Sequence, residues 1–157
     1  MQLPELGDSG RLWNSLLDLS ERLPAGHVVI GGVMVYLHGL TAGRVPPRVT
    51  QDVDLLFDIK LVPTSLRAAV AILTDMGYTV AAGSPTDSTH RYVGPDGQLV
   101  DILAPHLREN PKPDLTTTPP SRTVPVFGGK EALEHRVVAA YSTEHQARPT
   151  WPWRMLI

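Results

Sequence analysis

The chain has 157 residues, 42% of them hydrophobic and 19% charged, with no cysteine and a formal net charge of −2. That length suits one domain with an ordinary core. The missing cysteine excludes disulfides, thiolate metal sites and a Cys nucleophile, and the slightly acidic balance excludes a global basic field for nucleic acid. No apolar run approaches the ~20 residues of a membrane span. Met1-Gln2-Leu3-Pro4-Glu5 lacks the basic-then-apolar order of a secretory signal, so a cytoplasmic protein with no membrane partner is the expectation.

Taken in chain order, Leu12, Leu16, Leu19 and Leu23 recur at helical spacing over residues 9–23, with Pro24 as the stop. His27–Ile30 is a short apolar strand running straight into Gly31-Gly32, and Val33–Leu40 reads as a short helix. Residues 41–50 form a loop holding Gly43, Pro46, Pro47 and two arginines, and residues 51–59 are strand-like. Pro63 fits the first turn of a helix carrying Leu66, Ala69, Val70, Leu73 and Met76, with Gly77 as its C-terminal cap. Tyr78–Ala82 is the next strand. Thr89–Val93 and Gln98–Leu103 flank Gly94-Pro95-Asp96-Gly97 and read as a hairpin.

Proline then dominates. Six of the fifteen prolines fall between Pro105 and Pro125, so residues 104–123 can be neither helix nor regular strand and read as a long surface connection. Val124–Phe127 suits an edge strand. A helix is expected from Lys130 to about Thr143. The tail, residues 144–157 with Trp151 and Trp153, either packs on the body or leads away from it. The core is expected over about residues 25–141 of a single domain 1–157.

Asp52-Val53-Asp54 carries the most chemistry. On a strand, residues i and i+2 share a face, which sets the two carboxylates about 6–7 Å apart along the chain. Like charges this close raise one another's pKa, and a hard divalent cation such as Mg²⁺ or Mn²⁺ relieves the repulsion. Such a pair can also be a polar strand start facing water. Its company argues for more. Upstream, Gly31-Gly32 stands at a strand-to-helix turn, where backbone N–H groups and the helix N-terminus favour phosphate. Downstream, Asp101 interrupts Leu99-Val100 and Ile102-Leu103, and an acid in so apolar a strand needs a partner. Arg48 meets either a phosphate or solvent, and His90-Arg91 faces either a nucleotide or solvent. His38 reads as structural, while Lys130 at a helix start either reaches a phosphate or lies on the surface.

Gly31-Gly32, then Arg48-Val49-Thr50-Gln51-Asp52-Val53-Asp54-Leu55-Leu56, then Val100-Asp101-Ile102-Leu103 resembles the nucleotidyltransferase fold of the DNA polymerase beta type. Within it the bacterial AbiEii-type nucleotidyltransferase toxins are the most similar branch, over roughly residues 25–105. The resemblance implies an α/β (α+β) domain with a mixed β-sheet flanked by helices. It implies that Asp52, Asp54 and Asp101 hold Mg²⁺ and act in catalysis, and that Gly31 and Gly32 bind the phosphates of an NTP, beside which Arg48 is the further phosphate-binding candidate of the sequence. The reaction implied is transfer of an NMP to a hydroxyl of RNA, protein or a small molecule, with an antitoxin or second chain as partner. A catalytically silent module binding nucleotide or a partner protein is the alternative, and an α/β domain whose acids are structural is a third.

Overall fold

Leucine spacing decides the first helix. In the computed structural model, which describes residues 10–44, 50–81, 90–109, 111–141 and 153–157, Leu12, Leu16 and Leu19 lie on the buried face of α1 (Gly10–Arg22), and Leu23 is buried just beyond it. The same logic builds α3 (Ser65–Asp75), where Leu66, Ala69, Val70 and Leu73 are buried. That helix starts two residues after Pro63, not at it. It ends because Gly77 takes φ 83°, so that the Tyr78 N–H reaches the Leu73 carbonyl at 2.9 Å and the Gly77 N–H that of Thr74 at 3.0 Å, the double closure of a Schellman ending.

Six strands form one mixed sheet: β1 (His27–Ile30), β2 (Asp52–Phe57), β3 (Thr79–Val80), β4 (Arg91–Val93), β5 (Leu99–Pro105) and β6 (Pro125–Val126). Their order is β1-β2-β5-β4-β3, with β6 added to β5. The β2–β5 and β5–β6 pairs are parallel, and the β1–β2, β4–β5 and β3–β4 pairs antiparallel. The mixed sheet packed against helices is the architecture the sequence leads one to expect. Among the described residues no helix is long and apolar enough to cross a membrane.

Strand alternation divides the core between the two faces of the sheet. Val53, Leu55 and Phe57 of β2 and Val100, Ile102 and Ala104 of β5 join one large cluster with α1, α3 and α2 (Gly31–Thr41). On the other face Leu56, Leu103 and Val28 meet Leu133 of α4 (Gly129–Glu134) in a smaller cluster. Asp52, Asp54 and Asp101 have the parity of this second face, so they continue it toward the start of β2, past the part that Leu133 covers.

Two expectations need correction. The last helix stops at Glu134, and Val138–Tyr141 is instead strand β7, antiparallel to β8 (Trp153–Leu156). Val137 and Val138 are β-branched and weak in helices, and Val137 exchanges both backbone hydrogen bonds with Ile157, at 2.8 and 2.9 Å. The chain thereby returns to the body, with Ile157 buried in the main cluster; residues 142–152 lie outside the described set. The proline-rich connection starts later than expected, because Ala104 and Pro105 close β5 and pair with β6; beyond them it runs over the surface, fastened at a few points. Thr117 and Thr123 are buried, the Thr123 hydroxyl donates to the Ile102 carbonyl, and Leu107 and Leu115 pack on the main cluster.

Candidate functional site

The parallel register of β2 and β5 sets Asp54 directly beside Asp101. With Asp52 two residues earlier on the same face, one oxygen from each of the three carboxylates falls within 4.8 Å of the other two. Octahedral Mg²⁺ with oxygens at about 2.1 Å would hold adjacent ones about 3 Å apart and opposite ones about 4.2 Å, so these three need only draw somewhat closer to share one small divalent ion. They are also all hard donors, the type Mg²⁺ and Mn²⁺ prefer.

A tight backbone junction abuts the acids. The last residue of β1, Ile30, is the register partner of Asp54, and the chain turns at once into α2 through Gly31, whose φ is 66°. A Cβ on Gly31 would lie 1.9 Å from Asp54 Oδ2, and one on Gly32 would lie 2.7 Å from the Thr50 Cβ. Only glycine allows the start of α2 to come this near the acids. The N-cap residue is Ile30, whose side chain makes no cap hydrogen bond, so among the described residues the first N–H groups lack the usual cap partner.

The electrostatics are uneven. Asp101 is the buried member, and both its oxygens are taken by a forked contact from Arg91: Nε donates to Oδ1 at 2.8 Å and Nη2 to Oδ2 at 2.7 Å. The hydrogen bond from Arg91 to Asp101, and then the charge of Asp101, hold the guanidinium further above its already high range. The same Nη2 lies 3.4 Å from Asp52 Oδ2, and the Thr50 hydroxyl donates to Asp52 Oδ1. Among the described residues no ion pair or side-chain hydrogen bond reaches Asp54. Burial, and after it the charges of Asp52 and Asp101, push the Asp54 carboxyl up to about 6, against the opposing pull of Arg91. Two of the three carboxylates, Asp101 and Asp52, share one guanidinium here.

The structure therefore brings together Asp52, Asp54, Asp101, Gly31 and Gly32 out of the residues singled out in the sequence. Arg48 lies outside the described residues. His38 is exposed near the far end of α2, where its carbonyl accepts from Thr41. Lys130 is not with the acids, because it pairs with Glu134 on α4. Arg91 and Thr50 are the site residues that sequence reasoning undervalued. The hairpin contained the signal for Arg91: pairing back from the Gly94–Gly97 turn sets it across from Asp101. Thr50, two residues before Asp52, stands where a hydroxyl can bond back to the strand start. No protein-family model matches the chain, and neither a curated protein nor a solved structure matches it.

Proposed function

We propose that this chain is a Mg²⁺- or Mn²⁺-dependent nucleotidyltransferase domain that moves an NMP from an NTP onto a hydroxyl of RNA, protein or a small molecule. One observation carries the reading: Asp52, Asp54 and Asp101 converge from two parallel strands on the same face, hard against the Gly31-Gly32 entrance to a helix. The likeness of these motifs to the DNA polymerase beta type, and to AbiEii-type toxins within it, supports the same reading and makes an antitoxin or second chain the expected partner.

In this reading Asp52, Asp54 and Asp101 hold the metal. When bound, it supplies electrostatic stabilisation to the attacking and leaving oxygens at the α-phosphorus. The chain does the rest by positioning. Gly31 and Gly32 bring the start of α2 to the phosphates, where N–H groups and the positive end of the helix dipole favour negative charge. Thr50 holds the Asp52 carboxylate in one orientation through its hydrogen bond to Oδ1. Asp101, fixed on a fully paired strand, orients the attacking hydroxyl.

A silent nucleotide- or partner-binding module is the second reading, and Arg91 favours it, because the guanidinium already occupies both oxygens of Asp101. Thermal melts and label transfer separate the two. Mg²⁺ with NTP is expected to raise the melting temperature, and Asp52→Ala or Asp54→Ala to abolish that rise. A label from [α-³²P]NTP then appears on an RNA or protein acceptor if the domain is active. Stabilisation without transfer to any acceptor selects the silent module, and no Mg²⁺-dependent stabilisation removes the enzyme and the nucleotide-binding module and leaves only binding of a partner protein.

A further inference from the structure

We propose that Arg91 is the internal counter-cation of the acid cluster and that a divalent metal displaces it on binding, an inference that rests on the metal-site reading above. Asp101 has a side chain only 8% exposed, so a solvated counter-ion cannot compensate it and its partner must come from the protein or from a ligand. Arg91 fills that need with a two-pronged contact, and its Nη2 also reaches Asp52 on the next strand but one. The guanidinium thus bridges β5 to β2 through two of the three carboxylates that a metal would bridge.

Two cations cannot share that position. A +2 ion placed among the same oxygens repels the guanidinium and competes for the same lone pairs. Arg91 has somewhere to go, since its side chain is 40% exposed, and its backbone need not move, because the β4–β5 ladder fixes it opposite Asp101. Asp54 is left out of the arginine contact, which gives an arriving metal one carboxylate with no competing cation on it. Metal binding would then be an exchange in which Asp54 is open from the start, Asp101 and Asp52 are released by Arg91, and the Arg91 side chain turns toward water.

The rival role for Arg91 is to brace Asp101 in the orientation a metal needs, and the two roles predict opposite signs. Mn²⁺ binding to the full chain, followed by electron paramagnetic resonance without nucleotide, reads the sign. Exchange predicts that Arg91→Gln binds Mn²⁺ about tenfold more tightly than wild type, the order of one charge-assisted pair removed from the competing state; an unchanged or weaker affinity overturns it. A second measurement needs no variant. In wild type, the Arg91 Nε–H signal in ¹⁵N NMR is expected to be protected from water without metal and to lose that protection at saturating Mg²⁺. A signal that stays protected overturns the exchange even if Mg²⁺ binds. If neither wild type nor Arg91→Gln binds Mn²⁺, the exchange falls and the metal reading is left to the melts with Mg²⁺ and NTP, whereas Mn²⁺ bound by wild type with Arg91 unmoved removes the exchange alone.

Discussion

The two ends of the β2–β5 pair handle charge in opposite ways. Past the C-terminal ends of these strands, Lys60 pairs with Glu109, Arg136 approaches Asp58 at 3.9 Å, and Lys130 approaches Glu134 at 3.5 Å. There each acid has its own cation, and Lys60, Glu109, Lys130 and Glu134 have side chains at least 43% exposed. At the start of β2, by contrast, Asp52, Asp54 and Asp101 crowd together, and the one guanidinium beside them pairs with Asp52 and Asp101 and not with Asp54. Solvated one-to-one pairs of the first kind contribute little to stability. A cluster of the second kind costs stability in the metal-free state, and a cost kept at one place makes that place the candidate site.

The sharpest way to break the contrast is at the junction that holds the acids together. Gly31→Ala combines a left-handed backbone with a Cβ 1.9 Å from Asp54 Oδ2 and 2.8 Å from its Cγ, so it is expected to lose about 2–4 kcal/mol in chemical denaturation. A loss under about 1 kcal/mol would mean that the Asp54 side chain swings aside freely and that the close approach is not needed.

A smaller effect of opposite sign comes from relieving the repulsion. The Asp54 carboxyl is raised from 3.8 to about 6 in the folded state, so between these values the folded protein binds more protons than the unfolded chain. The contribution of this one group to stability is then greatest below about pH 4 and falls as the pH rises toward 6. Asp54→Asn is expected to flatten that part of the pH profile and, after allowance for solvent screening, to add about 1–2 kcal/mol at pH 7 without metal. Melts of both proteins from pH 4 to pH 7 check this. A destabilised Asp54→Asn would show instead that the carboxylate is a structural acceptor and that the two ends of the sheet do not differ as described.

The legibility of the molecule follows the same division. Elements governed by local pattern were readable: the leucine spacing of α1, the apolar face and glycine ending of α3, the hairpin around Gly94–Gly97, and the acids of β2 and β5. Partners that meet only through register were harder. That Asp54 would lie beside Asp101 depends on β2 and β5 being parallel neighbours, a non-local fact. Arg91 resembles any exposed strand residue until the β4 register sets it opposite Asp101. Residues Val138–Tyr141 failed for a related reason. Their fate depends on pairing with Trp153–Leu156, and the local cue against helix, the β-branched pair Val137-Val138, is weak beside the helical pattern that begins Lys130-Glu131-Ala132-Leu133.

The smallest effect is expected at the paired end, and it is the control for the rest. Lys130 occupies the first turn of α4 and Glu134 its last residue. That order places a cation at the positive end of the helix dipole and an anion at the negative end, the less favourable orientation for an i,i+4 pair. Both side chains are more than half exposed, and alanine is the better helix former. Lys130→Ala should therefore change stability by less than about 0.5 kcal/mol, in either direction, with little response to added salt. It should also leave Mn²⁺ affinity at the wild-type value, because Lys130 touches none of the three acids. A change in Mn²⁺ affinity would mean that the two ends are coupled through β2 and β5, and that the charge pairs beyond Phe57 belong to the same functional unit as Asp52, Asp54 and Asp101.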